Sequence, residues 1–194
     1  MAVAFILDFP GGTLEQYDAV VEKMDLGGRL APGGLFHAAG ATDAGLRVCD
    51  VWESAEVFQQ FAESKIGPLT AEVGLGKPEI RSFQVDETRT GGSAPIEFVQ
   101  IIAIPGMDAA GFHALDGAVL GPSGEIPEAC VYHVNGQLGD AYCVLDYWSS
   151  KAARDEFMQT QVGPAMQAAG ITAEPSIEEL SVHNSLTEPA TARV

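Results

Sequence analysis

The chain has 194 residues, 46% of them hydrophobic and 19% charged, with a formal net charge of −17. Such acidity argues against nucleic acid, whose phosphates demand a basic surface, and against anionic membranes, leaving a small molecule or another protein as partner. The start "MAVAFILDFPGG" lacks a basic segment and no uninterrupted apolar run reaches about 18 residues, which predicts a soluble, cytoplasmic, unprocessed protein.

In chain order, "AVAFILDF" reads as a strand and "TLEQYDAVVEKMDL" as a helix. Thr13 and Gln16 have capping-box spacing, and Leu14, Tyr17, Val21 and Met24 form one stripe. "GLFHAAG" and "GLRVCDVW" flank a short turn as a hairpin, Ser54 caps a helix carrying Val57, Phe58 and Phe61, and "EIRSFQV" closes the unit. "DETRTGGSAP" has the composition of a linker. The same order then recurs through "EFVQIIAI", a helix after Asp108, "ACVYHVNG", "AYCVLDYW", a helix after Ser150, and "SIEELSVH". The expected division is a first repeat over 1–85, a linker over 86–95, a second repeat over 96–186 and a loose tail over 187–194.

The recurrence is a true repeat. His37 matches His133, Gly40 matches Gly136, Val48 matches Val144, Asp50 matches Asp146 and Trp52 matches Trp148, all with the offset that separates 37 from 133. The register runs on through Ser54/Ser150, Phe61/Phe157, Gly67/Gly163 and Pro68/Pro164. A period near half the chain suits two copies of one small domain. Each copy reads β-α-β-β-α-β, so the expected fold class is α+β: two tandem ferredoxin-like repeats whose antiparallel sheets pack into an intrachain α/β barrel.

Alternation along the hairpins assigns Phe36, Ala38, Cys49 and Val51, with Tyr132, Val134, Cys143, Leu145 and Tyr147, to the helix-facing side. His37, Val48, Asp50 and Trp52, with His133, Val144, Asp146 and Trp148, fall on the other side, expected to be free of helices. Pairing Gly40 with Gly45 sets His37 opposite Val48 and one diagonal step from Asp50; the same holds for His133 and Asp146. Gln100 and His183 join this side by the same alternation. Its mixture of large apolar groups and a few polar ones is that of a ligand pocket. The cysteines Cys49, Cys130 and Cys143 are odd in number, without CxxC spacing, and read as reduced core residues.

Through "GGLFHAAG", "VCDVWES", "FAESKIGP" and "ELSVHNSL", the chain resembles a tandem, fused member of the dimeric α/β-barrel superfamily, similar to proteins of the antibiotic biosynthesis monooxygenase group. The resemblance implies a small-molecule enzyme of aromatic or polyketide-type secondary metabolism, a monooxygenase or an isomerase or cyclase needing no cofactor. It equally admits a non-catalytic binding or protective protein and a haem-binding member, the latter with His133 or His183 as axial ligand.

The sharper hypothesis is an acid/base pair, His133 with Asp146 or His37 with Asp50, in which the carboxylate fixes the tautomer and raises the basicity of the other ring nitrogen. Trp52 and Trp148 would stack on a hydrophobic or aromatic substrate, and Asn135, Tyr142, Gln100 and His183 would supply its polar contacts. The alternative is that both pairs are satisfied polar groups kept in both copies for structural reasons. Tyr142, Asn135 and His183 make the second copy the more polar and hence the preferred site. A metal on His37 and Asp50 lacks a third ligand, so no metal and no cofactor are expected. A homodimer is left open.

Overall fold

The computed structural model describes residues 1–187; most of the expected tail, 188–194, lies outside the described residues. Each repeat supplies the expected order. The first has β1 (Val3–Pro10), α1 (Leu14–Met24), β2 (Gly34–Thr42), β3 (Gly45–Trp52), α2 (Ala55–Phe61), α3 (Gly67–Glu72) and β4 (Glu79–Gln84). After β5 (Glu87–Thr90), the second has β6 (Phe98–Pro105), α4 (Ala109–Leu120), β7 (Cys130–Leu138), β8 (Ala141–Trp148), α5 (Lys151–Phe157), α6 (Gly163–Ala168) and β9 (Ser176–Ser181), with β10 (Asn184–Thr187) last.

Local chemistry sets the helix ends. Thr13 and Gln16 form the capping box, the Thr13 hydroxyl accepting from the Gln16 N–H at 3.3 Å and the Gln16 side chain from the Thr13 N–H at 3.1 Å. Ser54, Asp108 and Ser150 cap α2, α4 and α5. Between α2 and α3, and again between α5 and α6, a π turn (Ala62–Ile66, Met158–Val162) precedes a Gly-Pro pair. Pro68 and Pro164 offer no N–H and would crowd the carbonyl four residues back, and the wider turn relieves both defects without ending the helix.

The described residues form two compact units, residues 1–84 with 180–187, and residues 85–179. Each unit is centred on a five-stranded antiparallel sheet, in the orders β10-β2-β3-β1-β4 and β5-β7-β8-β6-β9. The fifth strand of each sheet is not among the expected elements. Glu87–Thr90, inside the expected linker, pairs with β7, and Asn184–Thr187 pairs with β2. Both lie just after a repeat's closing strand, so each repeat contributes its last strand to the other sheet. Their short polar sequences hid them; backbone pairing along an exposed edge holds them.

Two further expectations are corrected. The β2–β3 turn is tighter than Gly40 opposite Gly45: Thr42 pairs with Gly45, so His37 stands directly opposite Asp50, as His133 does Asp146. Gly45 has φ +148, and a Cβ there would collide with the Phe9 carbonyl oxygen, so only glycine closes this hairpin against β1. The sides of the sheet are also exchanged. Phe5, Leu7, Val48 and Trp52 pack with Tyr17 of α1 and Phe58 of α2, and Ile102, Tyr142 and Val144 pack with Phe112 and Leu115 of α4. The His/Asp side is therefore the helix-covered one. The opposite side, including Ala38, Cys49, Val51, Val134, Cys143, Leu145 and Tyr147, is also fully buried. With both sides apolar, alternation could separate the two sets of residues but not say which set the helices cover. All three cysteines are buried and free.

Candidate active site

In the first unit, His37 on β2 and Asp50 on β3 meet across the hairpin, His37 Nδ1 lying 2.7 Å from Asp50 Oδ1. The other carboxylate oxygen accepts from Trp52 Nε1 at 3.3 Å. A carboxylate at Nδ1 places the proton there and leaves Nε2 as the acceptor. Tyr17 of α1 donates its hydroxyl hydrogen to that nitrogen at 2.7 Å, and its ring lies parallel to the imidazole. Asn184 Nδ2 of β10 in turn donates to the Tyr17 oxygen at 2.7 Å. The line therefore runs Asn184, Tyr17, His37, Asp50. Burial pushes the Tyr17 phenol well above its ordinary pKa; the Asn184 hydrogen bond opposes this, and the Asp50 and Asp18 charges add to it.

This line forms part of the wall of a cavity of about 330 Å³ between sheet and helices, within the usual range of about 300–1,000 Å³ for small-molecule sites. Leu7, Phe9, Leu46, Val48, Trp52 and Phe61 give it an apolar wall. Trp52 packs against Phe58 and Phe61 with centroids 5.5 and 5.4 Å apart, which holds the indole at the cavity edge.

The second unit keeps the pair and changes its surroundings. His133 Nδ1 lies 2.6 Å from Asp146 Oδ1, but Nε2 accepts from Asn135 Nδ2 at 2.8 Å. The Tyr142 hydroxyl, with one hydrogen to donate, lies 2.7 Å from Asp86 Oδ2 and 2.9 Å from Asn135 Oδ1, and Asp86 also meets His113 at 3.0 Å. The Tyr142 hydrogen bond holds the Asp86 carboxyl below its ordinary range, while burial, ahead of the Asp86 charge, pushes the phenol up. Tyr142 stacks on Phe112 at 4.5 Å, and the cavity beside His133 is only about 80 Å³. Trp148 lines it, with its Nε1 buried and without a partner, and Gln100, opposite Asp146 on β6, has a buried Oε1 in the same condition.

His183 does not join His133 and Asn135. The chain turns after β9, so His183 bonds Asp18 at 2.8 Å and lies edge-on to Tyr17 in the first unit. Sequence reasoning missed Tyr17, Asn184 and Asp86 as parts of the site. Tyr17 looked like one more apolar position of a helical stripe, yet it is the sole tyrosine of the first repeat, a usable signal. Asn184 and Asp86 lie in segments without apolar alternation.

No protein-family model matches the sequence, and no curated protein matches it. Solved structures do. A candidate monooxygenase from Lactobacillus acidophilus superposes with a TM-score of 0.70 at 13% identity, covering 96% of each chain. The likeness is one of fold. An anthrone oxidase-like protein gives a TM-score of 0.52 at 19% identity over 95% of this chain and 92% of that one. A chlorite dismutase from Candidatus Nitrospira defluvii gives 0.60 at 11% over 94% and 91%.

Haem, which the superfamily resemblance brings into view, does not fit these residues. Both ring nitrogens of His37 and of His133 are engaged, leaving neither pair an open ligand, and the space beside His133 is far smaller than a macrocycle. Among the described residues, no group of three or more His, Cys, Asp or Glu side chains could hold a metal ion.

Proposed function

We propose that this protein is a cofactor-independent enzyme acting on an apolar aromatic or polyketide-like molecule, and that the first unit is its working site. The observation that carries this reading is the coincidence of a sizeable apolar cavity with an oriented His/Asp pair and a phenol in its wall. The named activities of the structural neighbours, a candidate monooxygenase and an anthrone oxidase-like protein, support the same class.

The chemistry begins with proton removal. Tyr17 passes its hydroxyl proton to His37 Nε2 as it takes one from a phenol or an acidic C–H of the substrate, and Asp50 stabilises the imidazolium that forms. Because burial disfavours a free tyrosinate, the two transfers are coupled rather than stepwise. The resulting substrate anion is electron-rich. With dioxygen as co-substrate an activated methylene becomes a carbonyl: one oxygen atom bonds to the carbon, and the other leaves as water with the two methylene hydrogens. Without dioxygen the same anion isomerises or cyclises. The apolar wall excludes water from the anion.

A second reading, a protein that only binds its ligand, is favoured by one observation: Nε2 of His37 already has a partner in Tyr17. A His37→Gln variant separates the two. With a tricyclic aromatic ketone bearing an acidic methylene, the enzyme reading expects turnover, measured as oxygen uptake or product absorbance, to fall about 100- to 10,000-fold. Ligand affinity, measured by tryptophan quenching, stays within about threefold. Binding by the wild-type protein with no turnover of any such ketone would favour the binding protein.

A further inference from the structure

Two side chains of fixed charge line the first-unit cavity, Asp50 and Arg29. Asp50 is already engaged by His37 and Trp52. Arg29 lies in the segment between α1 and β2 that also lends Leu26, Leu30 and Ala31 to the wall. Gly27 and Gly28, at φ +61 and +72 with open space where a Cβ would point, turn this segment by conformation alone.

Among the described residues three cations, Arg29, Lys65 and Lys77, have no ion-pair partner, and of these Arg29 alone lines the cavity. Lys23 pairs with Glu72, Arg47 and Arg81 with Asp8, Arg89 with Asp116, and Arg154 with Glu179. No side chain among the described residues pairs with Arg29. The repeat sharpens the point. At the offset that relates His37 to His133, the counterpart of Arg29 is Glu125, a reversal of charge, and Glu125 does not line the smaller cavity.

We infer that the first-unit cavity takes an aromatic acid, its carboxylate or other anionic group on the Arg29 guanidinium and its rings against the apolar wall that leads to His37. The inference rests on the reading that this cavity holds the substrate, and it names the substrate's class. An anion approaching so acidic a protein needs a local cation, and beside Asp50 it would be repelled; Arg29 satisfies both conditions. Exposed, the guanidinium gives discrimination more than raw affinity.

The test uses 2-naphthoate and its neutral counterpart 2-naphthamide, titrated into the full-length wild-type protein and an Arg29→Gln variant and followed by tryptophan quenching. The wild type is expected to bind naphthoate about three- to tenfold more tightly than the amide, a preference that shrinks with added salt. Arg29→Gln erases the preference and leaves amide affinity unchanged. Equal affinities in the wild type, or a preference that survives Arg29→Gln, overturn the anion subsite while leaving the cavity as a binding site. Failure of both compounds to bind overturns the cavity reading, and the subsite with it.

Discussion

In the first unit the acceptor nitrogen of the histidine meets a phenol carried on a helix, and a cavity of about 330 Å³ lies beside it; in the second the same nitrogen meets an amide two residues along its own strand, beside about 80 Å³. The His/Asp pairs are alike, at 2.7 and 2.6 Å. What differs is a handful of neighbours. Ala39 corresponds to Asn135, Leu46 to Tyr142, and Tyr17 lies on the helix that corresponds to the one carrying Phe112. Where the first copy has small or aliphatic residues there is room for a ligand; where the second has Asn135 and Tyr142, the space is filled and the polar groups satisfy one another. The His37 side chain is 18% exposed, against 7% for His133. On the proposed function, the duplicated pair serves packing in one copy and chemistry in the other.

The comparison breaks most visibly at His133. Replacing it with Ala leaves Asp146 buried without its partner and Asn135 without its acceptor, and is expected to lower stability by about 2–4 kcal/mol, read from denaturant melts, while turnover per folded molecule stays within about twofold. A large loss of turnover in a variant that remains folded would place chemistry in the second unit.

Tyr17 gives the next largest effect. Tyr17→Phe keeps the ring against His37 and removes the relay, so kcat should fall about 10- to 100-fold with KM little changed. Adding Ala39→Asn gives the first unit the amide found in the second, and the double variant should be no better than the single one. A rise in kcat on Tyr17→Phe would mean that Tyr17 only covers the base.

How much of this the sequence could show follows from what kind of constraint each feature obeys. The repeat, the helix caps and the placement of His37 with Asp50 on one side of a hairpin are set by local spacing, and were legible. The side on which the helices lie was not, because Ala38, Cys49 and Val51 are as apolar as Phe5, Leu7 and Val48. The edge strands Glu87–Thr90 and Asn184–Thr187 escaped notice because Thr- and Asn-rich segments carry no apolar alternation. The preference for the second copy rested on its greater polarity, yet those polar groups are spent on each other. Cavity volume depends on how Tyr142 stacks on Phe112, which no residue spacing encodes.

The smallest effect concerns acid stability of the second unit. The Asp86 carboxyl is held below its ordinary value of 3.8, chiefly by the hydrogen bond from Tyr142. Its contribution is present in full above that value and is lost as pH falls through the lower folded one. The melting-temperature difference between wild type and Asp86→Asn should therefore be small but constant at neutral pH and vanish in strong acid. A difference that grows on acidification would contradict the assignment.

The central claim, that His37 is the base and His133 is not, is tested most directly by proton exchange without oxygen. A tricyclic aromatic ketone with an acidic methylene is incubated anaerobically in deuterium oxide with wild type, His37→Gln and His133→Gln, and loss of the methylene proton signal is followed by NMR. Wild type and His133→Gln should accelerate exchange alike, and His37→Gln should leave it at the rate without protein. Exchange that persists in His37→Gln and disappears in His133→Gln would contradict the claim.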